Sequence, residues 1–451
     1  MENIIKVDSP IYRNEKQDEL IIKINNVAID ATAEIIIKFP DFHSILHQSS
    51  KTSLDFFFIS SIIYGVDRFI ERHRYSTDGW SRVINITIPV YEIEKWGIVK
   101  IELENLLSFL TGDYWTISFI ENTYCLNDNN GENDGFFDNY KQVNLFSGGL
   151  DSLIGAINFL AENENDKLIL VSHFDFQMKG PETDQNILFE NFPDEYKSRI
   201  KKIQPCKVSL INSNVQKEKT FRSRSILFLG IAVVIADLKK TPIVVPENGS
   251  VSLNFPLSPS RRGACSTRTT HPTFIDMLIS MLLKLDLISD IKNPFEFKTK
   301  GEMVDDCKNI QLLTQIINLS NSCGKRGHVV NRTNRETTHC GVCMPCTYRK
   351  ASLLNTTDLS TYGDDLNKPF VGKHQTPFLT SKQGQDINAM LDFLGKEFTK
   401  IEIRQELIVG GVKNLLKLND YVELVIRTRA ELKKLVDSTC TVSERRIKAG
   451  L

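Results

Sequence analysis

The sequence lacks an excess of charge of either sign, and it lacks any long hydrophobic run. It contains 55 Lys and Arg against 56 Asp and Glu, so no overall attraction to nucleic acid or to an anionic membrane is expected. The longest apolar run, 226–236, has eleven residues, whereas a membrane-spanning helix needs roughly 20. The first ten residues lack the apolar core of a secretory signal. These absences predict a cytoplasmic protein that does not cross a membrane.

The composition is that of a globular protein. The chain has 451 residues, of which 41% are hydrophobic and 25% charged. At roughly 150 residues per domain, this length predicts two or three domains. No internal repeat is present, and no low-complexity tract is longer than the Asn-, Asp- and Gly-rich stretch 127–139. Because such a stretch is typical of a solvated connection, we predict a domain boundary there.

The residues before this connection mix strand and helix patterns. A mostly apolar stretch at 56–66 predicts a helix. Alternating apolar residues predict strands at 20–24, 33–37 and 83–88. Segment 1–140 is therefore expected to form a mixed α/β accessory domain.

After the connection, short apolar strands alternate with longer helical patterns. The alternation runs through 143–146, 151–161, 168–173, 208–211, 223–238 and 242–246. This spacing predicts βαβ units on a parallel sheet with helices on both faces, in a domain spanning 141–365. Beyond it, apolar positions recur every three or four residues at 386–394, 400–409 and 420–436. The remainder, 366–451, is expected to be a helical C-terminal subdomain.

A glycine-rich loop joins the first of these strands to its helix. The loop reads Ser147-Gly148-Gly149-Leu150-Asp151-Ser152. Paired glycines, serine hydroxyls and the first N–H groups of a helix suit a pyrophosphate group, and a carboxylate beside phosphate suggests Mg2+ between them. The pattern is neither a Walker A loop nor GxGxxG. A helix start capped by serines is the alternative, and in either case Asp151 is expected to be a loop carboxylate outside the core.

A cluster of cysteines follows later in the chain. Cys323, Cys340, Cys343 and Cys346 have the spacing of a closed, structural Zn2+ site of four thiolates. His328 or His339 could replace one thiolate, and a redox or sulfur-carrying CxxC is the alternative to zinc. The remaining cysteines are expected to be ordinary thiols: Cys125, Cys206, Cys265, Cys307 and Cys440.

The glycine loop resembles the SGGxDS motif of the PP-loop ATP pyrophosphatases. The resemblance implies their adenine nucleotide alpha hydrolase-like fold, with ATP held at Ser147, Gly148, Gly149, Asp151 and Ser152. It also implies cleavage of ATP to AMP and pyrophosphate through an adenylated intermediate.

The loop and the cysteines together resemble the 7-cyano-7-deazaguanine synthase (QueC-like) family. The resemblance covers roughly 141–354, with further motifs at Ser322-Cys323, Arg349, Arg224 with Phe228, and Lys300 to Val304. It implies ATP, Mg2+ and Zn2+ as cofactors. Members of the family activate 7-carboxy-7-deazaguanine with ATP, amidate it with ammonia and dehydrate the amide to a nitrile. The catalytic residues implied here are Asp151, Ser152, Arg224 and Lys300.

The sequence departs from the family in several places. Ser225 replaces an Asn, and the segment 269–274 replaces a substrate-side motif, so the substrate or the amine donor is expected to differ. His271 in that segment either contacts the base or accepts a proton, or it merely precedes a helix that starts at Thr273. The segment 247–268 is either a solvated surface loop or a lid that closes on ATP or on an acidic acceptor. With its extra terminal domains, the layout resembles the QueC-like component of a Qat-type anti-phage defence system.

We therefore expect an enzyme that adenylates a 7-deazaguanine-type substrate and joins it to ammonia or to an amine of a partner protein. Two alternatives remain at the level of sequence. One is a tRNA-thiolating PP-loop enzyme, although residues 1–140 show no clear basic surface for RNA. The other is a non-catalytic subunit that binds nucleotide and holds partner proteins. Position 2 is Glu, so the N-terminal cysteine of a glutaminase is absent.

Overall fold

The computed structural model describes residues 2–14, 19–38, 48–124, 140–175, 180–202, 206–258, 268–326 and 329–451. The predicted connection at 127–139 lies outside these residues, as do Arg261, Arg262 and His328. The strands are β1 (Glu2–Val7), β2 (Ile11–Asn14), β3 (Glu19–Asn26), β4 (Ala31–Lys38), β5 (Val83–Val90), β6 (Tyr114–Glu121), β7 (Tyr140–Leu145), β8 (Lys167–Val171), β9 (His173–Phe174), β10 (Ile200–Lys202), β11 (Cys206–Ile211), β12 (Ile243–Val244), β13 (Ile291–Lys292), β14 (Phe370–Val371) and β15 (Thr376–Pro377).

Helices surround the sheets and form most of the C-terminal part. They are α1 (Lys51–Phe69), α2 (Arg72–Tyr75), α3 (Ile93–Ile98), α4 (Lys100–Thr111), α5 (Leu150–Glu162), α6 (Gly180–Glu190), α7 (Asp194–Lys197), α8 (Arg224–Lys239), α9 (Gly249–Leu253), α10 (Pro272–Lys284), α11 (Lys300–Asp305), α12 (Ile310–Ile316), α13 (Met344–Ser352), α14 (Gln385–Gly395), α15 (Lys400–Val409), α16 (Leu418–Thr439) and α17 (Ser443–Lys448). Short 3-10 helices lie at Ile317–Leu319, Val329–Asn331 and Phe378–Thr380.

The first sheet is mixed, with the strand order β6-β5-β1-β3-β4-β11-β9 and β2 paired to β3. β1, β5 and β6 run parallel, whereas β3 is antiparallel to both of its long neighbours, β1 and β4. The predicted strands at 20–24, 33–37 and 83–88 are confirmed as β3, β4 and β5, because alternating side chains bury one face of each strand. Ser50 caps α1, the helix predicted at 56–66, by accepting a hydrogen bond from the N–H of Ser53 at 3.2 Å.

The second sheet is parallel throughout, with the order β10-β8-β7-β12-β13. Along β8, Ile169 and Val171 belong to one buried core together with α8, whereas Leu168 and Leu170 belong to another core together with α5. Side chains of a strand alternate between its faces, so helices cover this sheet on both sides. The predicted α/β architecture is confirmed at this level.

One strand of the predicted parallel sheet is placed elsewhere. β11, predicted at 208–211, pairs antiparallel with β4 in the mixed sheet, and β9 pairs parallel with β11. Val208 and Leu210 point into the core that Ile35 and Ile37 of β4 also enter. The prediction of a strand at 208–211 was right, but its assignment to the parallel sheet was wrong. β11 pairs instead with the edge of β4, which would otherwise be left without a neighbouring strand. The mixed sheet therefore contains residues from both sides of position 140.

The C-terminal part is mostly helical, as predicted, and it also contains the short antiparallel pair of β14 and β15. The patterns at 386–394, 400–409 and 420–436 are confirmed as α14, α15 and α16. These helices share a buried core with Cys340, Cys343 and Cys346. In the part of the chain that the structure describes, every helix is too short or too polar to cross a membrane.

Candidate functional site

The glycine-rich loop leaves the carboxyl end of β7 and opens α5. Gly148 has a φ of 84°, in the left-handed region where a side chain is strained, and a Cβ there would lie 3.1 Å from the Cβ of Asp184. Gly149 occupies the N-cap position of α5 in extended conformation. Both glycines therefore serve a tight turn that ends at a helix N-terminus, where backbone N–H groups can bind an anion.

A cavity of about 890 Å³ opens beside this loop. β8 and β12 lie on opposite sides of β7 in the sheet. The direction in which successive strands are added therefore reverses at β7, which makes it a topological switch point. Crevices at such a switch point, outside the carboxyl ends of parallel strands, are the usual ligand sites of doubly wound sheets. The residues predicted for catalysis or nucleotide binding that line the cavity are Ser147, Gly149, Asp151, Arg224 and Lys300. Ser152 lies just behind it, with its hydroxyl 3.3 Å from that of Ser147.

Asp151 is the centre of a buried polar cluster. It forms an ion pair with Lys300, whose helix α11 is capped by Thr299, and it accepts hydrogen bonds from the backbone N–H and side-chain amide of Asn248, at 3.1 and 2.6 Å. Both charged side chains of the pair are less than a tenth exposed. Asp151 is thus a buried residue in the first turn of α5. The expectation that it is a loop carboxylate outside the core is wrong.

Glu247 completes this cluster, although no motif predicted it as a site residue. Burial, and then the charge of Asp151 and a hydrogen bond to it, raise the pKa of Glu247 well above its usual range. Although burial opposes ionisation of Asp151 as well, Lys300 and the hydrogen bonds hold its pKa below the usual value. The two pKa values therefore shift in opposite directions, and Glu247 is the member of this carboxyl pair that holds a proton more readily. The Pro-Glu-Asn run directly after β12, the strand beside β7, was the signal that could have identified it.

A segment from the cysteine region covers the glycine loop. The backbone N–H of Asn321 donates to the carbonyl of Gly148 at 2.9 Å, and the N–H of Leu150 donates to the hydroxyl of Ser322 at 3.3 Å. The next residue, Cys323, is a member of the four-cysteine cluster. The side chain of Arg349, fully buried on α13, donates to the carbonyl and hydroxyl of Ser320. The cluster and α13 thus hold the segment that touches the loop.

The four cysteines come together as predicted. The sulfurs of Cys323, Cys340, Cys343 and Cys346 all lie within 4.8 Å of one another, and those of Cys340 and Cys346 are 3.9 Å apart. A tetrahedral Zn2+ with Zn–S bonds of about 2.3 Å would separate its sulfurs by about 3.8 Å. The N–H groups of Val342 and Cys343 point at the Cys340 sulfur, at 3.5 and 3.3 Å, which stabilises a thiolate there. The group could hold a metal such as zinc.

The burial of these thiols bears on the sulfur-carrying alternative. Cys343 and Cys346 are 2% and 0% exposed, and neither lines the 890 Å³ cavity, although Cys323 does. A sulfur carrier needs a thiol that its substrate can reach. His339 is buried with its ring against Tyr362 and lies outside the metal-ligating group.

The structure does not bring His271 to the cavity. Its Nδ1 accepts the N–H of Thr273 at 3.2 Å as the N-cap of α10, and its ring meets Phe109 edge-on. Burial, and secondarily Arg268, lower its pKa to about 3, so the imidazole is neutral at physiological pH. His271 therefore serves as a helix cap. It lies away from the cavity, where the predicted catalytic role would require it.

Only part of the segment 247–268, predicted as either a lid or a surface loop, lies at the cavity. Glu247 and Val251 line the cavity, whereas residues 259–267 lie outside the described part of the chain. Arg268 is turned away from the cavity, because it donates to the carbonyl of Phe109 at 3.0 Å and stacks on the same ring.

Arg224 occupies the first position of α8, at the edge of the cavity. Burial lowers its pKa, while the nearby Tyr64 and Asp175 oppose that change.

Comparison of the chain with protein-family models, with curated proteins and with solved structures gave no match in any of the three. What the cavity binds must therefore be inferred from its own residues and from the motifs of the sequence.

Proposed function

We propose that this protein is a QueC-like PP-loop enzyme that adenylates a 7-deazaguanine-type substrate at the expense of ATP. The product is then joined to ammonia or to an amine of a partner protein, as in an anti-phage defence system of the Qat type. The nucleotide part of this proposal is supported by the glycine loop, and the choice of substrate by the QueC-like motifs of the sequence.

One observation carries the proposal: the loop 147–152, Asp151, Glu247 and Lys300 share one cavity at the switch point of a parallel sheet. The loop offers N–H and hydroxyl donors to a pyrophosphate, and the dipole of α5 favours negative charge at the same place. Lys300 lines the same cavity, where its ammonium is paired with Asp151. Such fixed donors stabilise the charge that develops on a leaving pyrophosphate.

The carboxyl pair fits a Mg2+ ion. Asp151, which is buried, and Glu247, which is half-buried, would offer carboxylate oxygens beside the expected phosphates, which is the donor type that Mg2+ prefers. When bound, the ion would neutralise phosphate charge. The raised pKa of Glu247 disfavours the ionised form that a metal ligand needs, so ion binding should weaken as the pH falls.

Zn2+ fits the four cysteines in a structural role. Four thiolates leave no open coordination position, and three of the four lie in the hydrophobic core of the C-terminal helices. The cluster is adjacent to Ser322, so we assign to it the support of the segment that covers the glycine loop.

The proposed reaction is the one that the resemblance to the QueC-like family implies. A carboxylate oxygen of the substrate attacks the α-phosphorus of ATP, the bond to the β-phosphate oxygen breaks, and pyrophosphate leaves. The nitrogen of ammonia or of an amine then attacks the acyl carbon, loses a proton, and AMP leaves. Adenylation makes an inert carboxylate oxygen into a leaving group.

The test is to incubate the protein with ATP, Mg2+ and 7-carboxy-7-deazaguanine, with and without candidate partner proteins, and to compare 7-cyano-7-deazaguanine, which lacks the carboxylate that the step requires. We expect AMP and pyrophosphate in equal amounts, and a mass increase on the base or on the partner protein. AMP that forms only with tRNA, and never with a deazaguanine, would refute the assignment. ATP binding without any pyrophosphate release would instead indicate the non-catalytic nucleotide-binding subunit.

A further inference from the structure

A second cavity, of about 790 Å³, lies beside the four-cysteine cluster. Among the residues that the structure describes, it shares no lining residue with the 890 Å³ cavity. Cys323 lines the first cavity and Cys340 lines the second. The next residues of the chain divide in the same way, because Gly324 and Arg326 line the first cavity and Lys325 lines the second. The cysteine cluster therefore contributes to the walls of both cavities.

Two segments of the chain form most of the lining of this second cavity, and both are basic. They are 323–335 and 366–385, which together contain seven Lys and Arg residues and no Asp or Glu. Among the described residues of the lining, one carboxylate is present, that of Asp386. The cations of the lining are Lys325, Arg332, Lys368 and Lys382.

Two carboxylates lie close to these cations. Asp386 pairs with Lys325 at 3.4 Å, and Asp364 pairs with Lys368 at 2.8 Å. Asp364 also accepts the N–H and the hydroxyl of Thr333, at 3.3 and 2.6 Å. Each carboxylate therefore offsets the charge of one lysine in the lining.

The other two cations are not offset in this way. The guanidinium of Arg332, which is 5% exposed, donates to three backbone carbonyls, and these carry no net charge. Lys382 is exposed, and it forms no ion pair with any residue that the structure describes. With both carboxylates counted, the described lining therefore keeps an excess of positive charge.

The same cavity exposes apolar side chains between its lysines. Val330 is 71% exposed and Phe370 is 47% exposed. Val371 follows Phe370 in the β14–β15 hairpin and is half-buried in the same lining. Covering these side chains would remove apolar surface from water, which stabilises a complex. An apolar centre with a charged rim is the usual composition of a protein-binding surface.

This composition favours a peptide over a nucleic acid. Grooves for single-stranded nucleic acid combine cations with several aromatic rings on which bases stack, whereas Phe370 is the one aromatic residue in the described lining. The carboxylate of Asp386 would also repel a phosphate backbone. An acidic peptide can instead place a carboxylate at Lys382 and an apolar side chain against Phe370.

We propose that this second cavity docks an acidic segment of a partner protein, in which an apolar residue lies among carboxylates. The apolar residue packs against Val330 and Phe370, and the carboxylates face Lys382 and the neighbouring cations. A volume of 790 Å³ suits a few side chains of a peptide, since it lies within the roughly 300–1,000 Å³ of ligand sites. The inference goes beyond the proposed function and stands without it, because no described residue of this lining belongs to the cavity of the glycine loop.

Fluorescence anisotropy with the full-length protein tests the docking site. The first probe is the fluorescein-labelled peptide Asp-Glu-Asp-Leu-Asp-Glu-Asp. The others are the same peptide with Ser in place of Leu, a peptide with Lys in place of every acidic residue, and a short labelled oligouridylate. The variants are Lys382→Gln and Phe370→Ser. Their matched controls are Lys51→Gln, at the exposed start of α1, and Leu416→Ser, which changes a 95% exposed side chain outside the cavity.

We expect the acidic peptide with leucine to bind most tightly, and its affinity to fall as the salt concentration rises. Lys382→Gln should weaken it by about threefold, as for an exposed ion pair. Phe370→Ser should weaken it by about tenfold, as for the loss of an aromatic anchor. The peptide with serine should bind more weakly and should be insensitive to Phe370→Ser. Both control variants should bind as the wild type does.

Four results would overturn the proposal. The acidic peptide could fail to bind or bind no better than the basic one, or both variants could bind it as the wild type does. Tighter binding of the oligouridylate, weakened by the same variants, would identify a nucleic-acid site. Sedimentation that found a dimer, dissociated by the same variants, would place a second copy of this chain in the cavity. Each of these results leaves pyrophosphate release, and with it the proposed function, to its own test.

Discussion

Asp151 has a structural role in addition to any role toward phosphate. Replacing it with Asn would leave the ammonium of Lys300 buried without its partner. Breaking a buried ion pair in this way costs about 3–5 kcal/mol. We therefore expect Asp151→Asn to lower the thermal midpoint clearly and to abolish pyrophosphate release. Differential scanning fluorimetry and a pyrophosphate assay measure the two effects.

A double variant separates these two roles. Asp151→Asn with Lys300→Met removes both charges and keeps an unbranched side chain in place of the lysine, so it should recover much of the lost stability. Pyrophosphate release should stay absent, because the carboxylate is still missing. If the double variant were no more stable than Asp151→Asn alone, Lys300 would not be the partner that Asp151 satisfies.

Ionisation of Glu247 is expected to destabilise the folded protein as the pH rises. Its pKa is raised well above the usual value in the folded protein, whereas in the unfolded chain it is about 4.3. At pH values below its unfolded-state pKa, Glu247 therefore costs the folded protein no stability. The free energy of unfolding declines as the pH rises from that pKa toward the folded-state pKa. Glu247→Gln removes this penalty, so we expect its thermal midpoint to exceed that of the wild type by more at pH 8 than at pH 5. Pyrophosphate release should be lost.

The control for this experiment is Glu164→Gln, on an exposed turn after α5. It should shift the midpoint equally little at both pH values. A Glu247→Gln variant whose advantage did not grow with pH would show that the glutamate is already ionised in the folded protein.

Residues close in sequence were predicted more reliably than residues brought together by the fold. The turn at 147–152 and the spacing of Cys340, Cys343 and Cys346 are local patterns, and both form as local units. Glu247 and Ser322 reach Asp151 and Leu150 only through the pairing of β12 with β7 and the return of the chain from α12. Pattern reading cannot fix such contacts, because each residue alone is typical of an ordinary loop.

The same distinction holds for whole elements. α1, α14 and α16 were predicted because each has enough apolar residues for its pattern to be clear. β12 has only two residues, and β11 has the pattern of a strand that fits either sheet. The hydrophobic pattern of a strand indicates that one of its faces is buried, but it does not indicate which strand lies beside it. The sequence alone therefore could not assign β11 to one of the two sheets.

The four-cysteine cluster supports the C-terminal helices and the segment over the glycine loop. Freshly purified protein is expected to contain about one zinc per chain, since the four thiolates form one closed site. Cys343→Ser should lose the metal and lower the thermal midpoint before it affects turnover. Cys440→Ser is the matched control, because Cys440 is buried in the same core but lies outside the cluster. Elemental analysis that found no metal in the wild type would favour the sulfur-transfer reading.

The N-terminal region and the parallel sheet share one hydrophobic core, which extends from Ile5 to Ile291. α1 packs on α8 at a close approach, where a Cβ on Gly230 would lie 2.5 Å from the hydroxyl oxygen of Ser60 and 2.6 Å from its Cβ. The division at residue 140 remains a prediction about the chain's organisation, but the two parts are expected to unfold together because neither covers this core alone.

Gly230→Val tests that cooperativity. Overpacking costs about 1–3 kcal/mol, which exceeds the roughly 0.4 kcal/mol that valine returns over glycine in a helix. The variant should therefore unfold at a lower temperature. All three tryptophans lie before residue 140, at 80, 96 and 115, so their fluorescence reports the N-terminal region while far-UV circular dichroism reports the whole chain. We expect both signals to shift equally. The double variant Ser60→Gly with Gly230→Val should be more stable than the sum of the two single effects predicts, because removing the Ser60 side chain makes room for the valine. A dichroism transition that moved while the tryptophan transition stayed would mean that α1 and α8 belong to units that unfold independently.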